Sequence, residues 1–526
     1  MFAIGNSSKR YAAAGTERAL LEALATPETY GIAQPVEVHE THASWVFVAG
    51  EFAYKVKKPV ALGFLDYSSL ERRLAACLEE VRVNQELAPG IYLGVRAIVT
   101  RPGGYRLAPA EAPDACEYAV QMRKFDESDT LAASIAGNKL EPIQIERVAR
   151  RLASFHRAAP AAAGWTPERV NVVWCKNLRE LDELHPPQTW NVALARRFGA
   201  SFVSAHAAEI KRRERAGQVR DGHGDLRCEH ILLRPTVRVV DRIEFDRALR
   251  CTDVAADLAF LLMDLEAWGR PDAADLLARV YVEAGGSLGG EALLAFYCAH
   301  RAFVRAKVSL LPAGRELPDR AHRLWTLGEL MCWRARRPLA LIVCGPPASG
   351  KSTLAGELAR RSGMPIVSSD LVRKELAGIP AERRAGPEQY TAAFTEQTYD
   401  LLGLRACDEL RRRGGVIVDA TCRDRRQRAA LLDRLGAAPD GCMFICCNVA
   451  PATALKRARR RMQLPGRVSD ATPDIVARQR PLFQPLDELP ADAVYTLDAE
   501  AAIERQVAEV AGAVDRRTPA RDPQGA

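Results

Sequence analysis

The sequence predicts two domains of mixed helix and strand, an α+β domain followed by an α/β domain with a parallel sheet flanked by helices. A chain of 526 residues is too long for a single hydrophobic core. A mainly helical pattern breaks at 334–338, and an apolar strand-like run begins at Leu339. From that point strands alternate with helices, as they do in parallel sheets. We therefore expect domains at residues 1–335 and 338–515, with a disordered tail at 516–526.

The first domain begins with strands and becomes mainly helical towards its end. Two β-like runs flank Ala49-Gly50-Glu51, which predicts a hairpin turn. A later helix ends before Pro89. In chain order we predict a helix at Glu17–Ala25, strands at Val36–His39, Trp45–Val48 and Phe52–Val56, a helix at Arg72–Leu87, a strand at Glu117–Arg123 and a helix at Ile143–Ala158.

The second domain contains five short apolar runs that suit buried strands. Ligands of such sheets bind at the carboxyl ends of the strands, so residues that end a strand are candidates for a site. The predicted strands are Leu339–Cys344, Pro365–Asp370, Val416–Asp419, Met443–Val449 and Ala493–Leu497, and helices are expected at Ser352–Arg361 and Glu388–Arg412.

The composition excludes several classes of protein. Hydrophobic residues make up 48% and charged residues 27%, which is ordinary for a globular chain, and the net charge of +8 indicates at most modest affinity for anions. No apolar run is long enough for a transmembrane helix, and residues 1–15 lack the apolar segment of a signal peptide. The 13 cysteines form no C-x-x-C pair. We therefore expect no zinc site, no membrane partner and a reducing, cytoplasmic location.

The run from Gly345 to Thr353 carries the phosphate-binding P-loop pattern, G-x-x-x-x-G-K-S. Its glycines, Gly345 and Gly350, let backbone N–H groups close around phosphate oxygens, and the following helix adds its dipole. Lys351 is expected to reach the β- and γ-phosphates, and Ser352 to hold Mg²⁺. A chance glycine-rich turn is the alternative. The strand before the loop and the helix after it favour a site for ATP with Mg²⁺.

Three further side chains of the second domain are placed for phosphoryl transfer. Asp370 ends the second predicted strand and can take the proton of an acceptor hydroxyl, while Arg373 can clamp an anionic group on the acceptor. Asp419 ends the next strand and can hold the water shell of Mg²⁺. The alternative for Asp370 is a cap on the helix that follows it.

Arg457, Arg461 and Arg467 lie in and after a later helix and can fold over the transferring phosphates as a lid, with a solvated helix face as the alternative.

The second domain resembles the small P-loop kinases that phosphorylate hydroxyl groups, namely the polynucleotide 5′-hydroxyl kinase, zeta-toxin and gluconate kinase group. The shared residues are S-S-D-x-x-R-K-E-L from Ser368 and V-D-A-T from Val418. The likeness spans the whole second domain.

The first domain has a candidate site of its own, centred on His223-Gly-Asp225-Leu-Arg-Cys-Glu-His230. A second carboxylate, Asp241, follows the strand-like run Val237–Val240. In phosphoryl transfer one such carboxylate takes the acceptor proton, and the other holds Mg²⁺ on the phosphates. This pairing makes Asp225 and Asp241 candidates for those two roles.

That run resembles the catalytic loop H-G-D-x-x-x-x-N of the aminoglycoside phosphotransferase family, a relative of the protein kinases. The resemblance implies a bilobal kinase-like fold with Asp225 as catalytic base and Asp241 as metal ligand. His230 stands where the family has an asparagine that binds a second metal ion. Lys55 would bind the α- and β-phosphates.

The resemblance leaves the ion-pair partner of that lysine open between Glu80 and Glu79. It also matches Asp253-Val-Ala-Ala-Asp257-Leu-Ala to the family's D-x-x-x-D-L-A helix start. The order of the two domains resembles bacterial proteins described as bifunctional phosphotransferase/ATP-binding proteins.

These observations predict an ATP-dependent kinase that transfers the γ-phosphoryl group to a hydroxyl of a small molecule. A nucleic-acid end-repair kinase acting on 5′-hydroxyl ends stays open, and so does a non-catalytic regulator that switches on ATP. The first domain is an active small-molecule kinase, a degenerate nucleotide-binding or regulatory fold, or an unrelated α+β domain. The sequence names no acceptor, because acceptor pockets are built from scattered side chains without a motif.

Overall fold

The computed structural model describes residues 15–41, 43–62, 65–311, 318–383, 385–436, 441–462 and 472–517. The chain forms two compact units. The first is drawn mainly from the chain up to Thr166 and from Ile210–Gly290. The second takes Pro167–Glu209, Glu291–Leu310 and the chain from residue 317 onward. The domain boundary between residues 335 and 338 stays a prediction.

An antiparallel sheet forms the beginning of the first unit. The elements are helix α1 at Gly15–Leu24, strands β1 at Glu37–Glu40, β2 at Ser44–Ala49, β3 at Phe52–Lys57, β4 at Ala61–Leu62 and β5 at Leu65–Asp66, helix α2 at Leu70–Asn84, and strands β6 at Tyr92–Arg101, β7 at Gly104–Pro109 and β8 at Ala115–Arg123. Six of these strands form one sheet in the order β1-β2-β3-β8-β6-β7. The predicted hairpin joins β2 to β3, with Ala49 paired to Phe52.

Residues 131–335 are mainly helical, as the sequence predicts. The elements are helices α3 at Leu131–Ala136, α4 at Pro142–Ala158, α5 at Pro167–Asp182, α6 at Val192–Ala205 and α7 at Ala207–Arg215, strands β9 at Val219–Asp221, β10 at Ile231–Leu232 and β11 at Arg238–Val239, helix α8 at Arg247–Arg250, strand β12 at Cys251–Asp253, and helices α9 at Val254–Ala267, α10 at Pro271–Glu283, α11 at Glu291–Leu310 and α12 at Pro318–Ala335. Helix α9 is buried from Val254 to Leu265, because its residues are apolar on nearly all sides.

A second sheet forms the centre of the second unit. Its elements are strand β13 at Leu339–Cys344, helix α13 at Lys351–Ser362, strand β14 at Ile366–Ser368, helices α14 at Ser369–Leu376 and α15 at Ala392–Arg413, strand β15 at Gly415–Asp419, helix α16 at Arg425–Leu435, strand β16 at Cys442–Asn448, helices α17 at Pro451–Arg461 and α18 at Pro473–Gln479, strand β17 at Val494–Asp498 and helix α19 at Ile503–Arg517.

The five strands are parallel and lie in the order β14-β15-β13-β16-β17. This confirms the parallel sheet predicted from the apolar runs. Strand β13 is central and fully buried, with alternate residues entering the apolar cores on the two faces of the sheet. The P-loop therefore starts from the middle of the sheet.

Two elements of the second unit have bounds that differ from the predicted ones. The strand predicted at Pro365–Asp370 ends at Ser368, and Asp370 lies in the first turn of α14. The helix predicted from Glu388 begins at Ala392, because the hydroxyl of Thr391 accepts the N–H of Phe394 and caps it there. The predicted tail falls mostly outside the described residues. Across the parts that are described, no helix is long and apolar enough to cross a membrane.

Candidate functional site

A cavity of about 630 Å³ lies beside the P-loop, at the carboxyl ends of β14 and β15. It brings together residues that are far apart in the sequence. Gly350, Lys351 and Ser352 line it from the P-loop, and Asp370 and Asp419 line it from the two strand ends. A phosphate-binding loop opposite two carboxylates is an arrangement that suits phosphoryl transfer.

The P-loop passes through backbone conformations that favour glycine. Gly345 and Gly350 have φ angles of +130° and +100°. A Cβ atom on Gly345 would stand 2.7 Å from the carbonyl oxygen of Cys447 in β16. The N–H of Gly345 donates to the carbonyl of Thr421 at 3.2 Å, so the start of the loop is fixed against the neighbouring strand end.

Lys351 and Ser352 open helix α13. Lys351 is half-buried, and its Nζ donates to the carbonyl of Pro346 at 2.9 Å, which holds it across the loop. The first N–H groups of a helix have no partner within the helix and favour an anion. Gly345 and Thr353 belong to the motif but do not line the cavity.

Asp370 is half-buried at the second position of α14. The N-cap of that helix is Ser368, so capping does not explain Asp370. Asp419 is 9% exposed and is the β15 partner of Ser368 in the parallel register. The two carboxylates are thus carried by adjacent strand ends, which is why they reach the same cavity.

Arg373 does not line the cavity. Its guanidinium lies 4.7 Å from the ring centroid of Tyr390 and donates to the carbonyl of Gln389. It also donates to the hydroxyl of Thr395 at 3.4 Å. These contacts fix the turn that precedes α15, whereas the sequence led us to expect a clamp on the acceptor.

The three lid arginines are described to different extents. Arg457 donates to the carbonyls of Ser349 at 3.2 Å and Ala499 at 2.8 Å, so it braces the P-loop from behind. Arg461 is the last residue of α17. Arg467 lies outside the described residues, and the lid role of these arginines stays a prediction.

Sequence reasoning missed several residues that line the cavity. Tyr390 lies in the turn before α15, and Ile475, Arg478 and Gln479 lie on α18. None of them belongs to a motif. Only the folded sheet brings the segments before α15 and after α17 to the P-loop, so no local pattern marks these residues.

A second charged cluster lies in the first unit. The Nζ of Lys55 on β3 lies 2.8 Å from Glu80 Oε1 and 2.9 Å from Asp241 Oδ1. Of the two partners that the sequence left open, the structure selects Glu80, since Glu79 pairs with Arg250 instead. Glu80 is fully buried, so this lysine–carboxylate pair is shielded from solvent.

Asp241 has a left-handed backbone, with a φ of +61°. Its N–H donates to the hydroxyl of Tyr92 at 3.0 Å, which holds the turn. Burial raises the pKa of Asp241, but the charge of Lys55 outweighs it and leaves that pKa well below its usual range. Asp241 is therefore an anion throughout the physiological pH range.

Asp225 is half-buried and is held by Arg227, a residue that sequence reasoning missed. The Nε of Arg227 donates to both carboxylate oxygens of Asp225, at 3.1 and 3.2 Å. Its Nη1 donates to Glu229 at 2.9 Å. Arg227 is only 2% exposed, so a fixed cation sits directly behind the candidate base.

The surroundings of His230 do not fit its predicted role as a metal ligand. Arginine only donates hydrogen bonds, so the Nη2 of Arg227 at 2.9 Å occupies the lone pair of His230 Nε2. The Nδ1–H then donates to the carbonyl of Asp225 at 2.8 Å. Burial and the Arg227 charge lower the pKa of His230 to about 3, so the ring is neutral and both nitrogens are used.

Asp257 fixes the backbone of the same loop. Its carboxylate accepts the N–H groups of His223 and Gly224, both at 2.7 Å, and its Oδ2 lies 3.0 Å from His156 Nε2. A Cβ atom on Gly222 would stand 2.5 Å from that carboxylate, so glycine is needed there. Burial raises the pKa of Asp257, but these partners outweigh it and lower the pKa below its usual value.

Within the described ranges, no group of three or more His, Cys, Asp or Glu side chains is arranged to hold a metal ion. Mg²⁺ that binds together with ATP needs only one or two protein ligands, because phosphates and waters supply the rest. Asp241 in the first unit, and Ser352 with Asp419 in the second, offer the hard oxygen donors that suit this ion.

Comparison with known sequences gives matches to both parts of the chain. A family model described as an AAA domain matches residues 341–486, the region of the P-loop sheet. Proteins described as uncharacterized, from Mycobacterium bovis and from Mycobacterium tuberculosis, are 32% identical over 461 residues. The alignment covers 84% of this chain and 89% of each relative.

Two solved structures each resemble part of the chain. A choline/ethanolamine kinase family protein from Mesorhizobium loti is 15% identical, with 60% of this chain and 94% of that chain covered and a TM-score of 0.38. A gluconokinase from Sinorhizobium meliloti is 20% identical, with 34% and 94% covered and a TM-score of 0.26. Scores this low carry no inference about activity.

Proposed function

The chain belongs to the family of these mycobacterial proteins, and we propose that it is an ATP-dependent phosphotransferase. Its P-loop domain transfers the γ-phosphoryl group of ATP to a hydroxyl of a small molecule. The observation that carries this proposal is the cavity in which Lys351 and Ser352 face Asp370 and Asp419. The functional domains that we assign are residues 1–335 and 338–515.

Asp370 is the base of the proposed reaction. Its carboxylate takes the proton of the acceptor hydroxyl as the acceptor oxygen bonds to the γ-phosphorus, and the bond from that phosphorus to the bridging oxygen breaks to leave ADP. Lys351 and the first N–H groups of α13 hold the phosphates in line. When bound, Mg²⁺ neutralises phosphate charge, and Ser352 and Asp419 are the residues that would hold it.

An acceptor screen tests the proposal. ADP formation is measured with sugars, polyols, nucleosides and oligonucleotides that carry a 5′-hydroxyl. We expect acceptor-dependent ADP release that falls at least about 10²-fold in Asp370→Asn, the range for loss of a general base. ATP binding should survive in that variant. Equal transfer by wild type and Asp370→Asn would remove Asp370 from the mechanism.

The first unit carries a second proposed phosphotransferase site, favoured by the triad of Lys55, Glu80 and Asp241. Lys55 would hold phosphates, Asp241 would hold Mg²⁺, and Asp225 would take the acceptor proton. The bonds from Arg227 to Asp225 set the position of that base. A regulator that only senses ATP predicts instead that Asp225→Asn and Asp370→Asn both keep biological activity.

A kinase for nucleic-acid ends is the alternative for the P-loop site. It predicts binding of oligonucleotides that weakens steeply with salt. We also propose a reducing, cytoplasmic location, because the thirteen cysteines form no C-x-x-C pair in the sequence.

A further inference from the structure

We propose that the P-loop cavity takes a neutral acceptor with a flat face, a sugar or a nucleoside, and that Tyr390 is the side chain against which it packs. This rests on the proposed function of the cavity and concerns only the acceptor.

Tyr390 is a wall of the cavity and not part of the core. It lines the cavity, and 42% of its surface is exposed. Arg373 packs on the ring, with its guanidinium 4.7 Å from the ring centroid. Because Arg373 is 6% exposed and also bonded to Gln389 and Thr395, the position of the ring is fixed before any ligand binds. A fixed aromatic ring packs on the C–H face of a sugar or on a nucleobase.

The negative charge beside the acceptor hydroxyl disfavours an anionic group at that end of the acceptor. Of the described residues that line it, Lys351 and Arg478 carry positive charge, and Asp370 and Asp419 carry negative charge. Lys351 belongs to the phosphates of ATP. An acceptor must place its hydroxyl at Asp370, so a carboxylate or phosphate close to that hydroxyl would meet a like charge.

The orientation of Arg373 removes the cation that the sequence predicted for this wall. Its guanidinium packs on the Tyr390 ring and donates to the carbonyl of Gln389, and it does not line the cavity. The same residue that would clamp an anion here supports an aromatic surface. An aromatic wall in place of a free cation favours recognition of the acceptor by ring packing and by hydrogen bonds to its hydroxyl groups, and disfavours recognition by charge.

Matched pairs of acceptors test the inference. ADP formation is compared for hexoses, pentoses and polyols against the corresponding sugar acids, and for nucleosides against their monophosphates. We expect kcat/KM for the neutral member to exceed that for the charged member by at least about tenfold. A preference for the charged members overturns the inference and leaves the proposed function standing. Transfer to no member of any pair contradicts the proposed function itself.

Variants of Tyr390 separate binding from folding. With the best neutral acceptor, Tyr390→Ala should raise the acceptor KM about tenfold, with kcat and the KM for ATP little changed, because the ring contributes to acceptor binding. Tyr390→Phe keeps the ring and should have the smaller effect. Leu404→Ala, an exposed position on α15 that does not line the cavity, is the matched control. An unchanged acceptor KM in Tyr390→Ala overturns the assignment.

Discussion

Gly345 bears the tightest steric constraint that we find in the P-loop. Its φ of +130° disfavours any other residue, and a Cβ atom would meet the Cys447 carbonyl at 2.7 Å. We predict that Gly345→Ala lowers ATP affinity at least about tenfold and destabilises the second unit by about 1–3 kcal/mol, because the loop must shift. Titration with a fluorescent ATP analogue and urea unfolding measure the two effects.

Gly356 is the matched control for that variant. It is exposed within α13, and a Cβ atom there would meet nothing within 4 Å. Gly356→Ala should leave ATP affinity unchanged and stabilise the helix by about 0.5–1 kcal/mol. Similar losses of affinity in both variants would contradict the steric argument.

His230 predicts a dependence of stability on pH. Its pKa is about 3 in the folded protein, against an ordinary value of 6.5. Between these values the unfolded chain binds a proton that the folded chain does not, so stability falls as pH falls, by about 1.4 kcal/mol per unit for one such group. His230→Gln should flatten this slope for the unfolding of the first unit.

Urea unfolding between about pH 7 and about pH 5 measures that slope. The control is His39→Gln, because His39 lies in the same unit and its side chain is partly exposed. If His230→Gln and wild type lose stability equally over this range, a charged His230 is tolerated in the folded loop and the argument fails.

At the scale of single residues, the sequence predicts the site residues that belong to the P-loop motif or that follow an apolar strand-like run. Lys351, Ser352 and the strand-end carboxylates Asp370 and Asp419 all line one cavity. Arg227 was missed because its role depends on a buried geometry that no pattern encodes. The family resemblance placed His230 at a metal-binding position, and only the hydrogen bond from Arg227 reveals where the lone pair of His230 points.

At the scale of elements, Arg428 on α16 holds the segment that follows α18, the helix that lines the cavity with Arg478 and Gln479. Its guanidinium is buried and donates to the carbonyls of Cys422 at 3.0 Å and Pro485 at 2.9 Å, and it pairs with Glu488. We predict that Arg428→Ala destabilises the second unit by roughly 3 kcal/mol, because buried acceptors lose a charged donor. Thermal unfolding measures the loss.

Arg425 offers the comparison within the same helix. It pairs with Asp487 at 2.8 Å, but its side chain is 60% exposed, and exposed pairs contribute little. Arg425→Ala should leave the melting temperature of the second unit unchanged. A drop in melting temperature as large as that of Arg428→Ala would mean that burial does not decide the effect.

The five strands of the P-loop sheet were predictable because short, continuous apolar runs between helices are typical of buried parallel strands. Strands β6 and β7 of the first unit were not located individually. Their burial is mixed along the strand, since one lies between β8 and β7 and the other at the edge of the sheet. Pairing with β8 fixes β6, and β7 pairs only with β6 at the edge of the sheet, so their strand character depends on context more than on local propensity.

At the scale of the whole molecule, the account predicts two nucleotide sites. Lys55 belongs to one unit and Lys351 to the other. Wild type should therefore bind two equivalents of a non-hydrolysable ATP analogue, and each single lysine-to-alanine variant one equivalent. Lys55→Ala with Lys351→Ala should bind none. Isothermal titration calorimetry counts the sites.

Lys58→Ala is the control for the first-unit site, because Lys58 pairs with the exposed Glu40 and not with Glu80. One equivalent in wild type, lost in Lys351→Ala but kept in Lys55→Ala, would leave the first unit without a nucleotide role and would favour a regulatory fold or an unrelated α+β domain there.

The central claim is that the P-loop cavity transfers phosphoryl groups to a hydroxyl and does not merely hydrolyse ATP. The most direct measurement uses ATP labelled at the γ-phosphate and compares labelled acceptor with free phosphate, for wild type and for Asp370→Asn. We predict that most of the label enters the acceptor in wild type, and that Asp370→Asn lowers this transfer at least about 10²-fold while still binding ATP. Label found only in free phosphate, at the same rate in both proteins, would contradict the account.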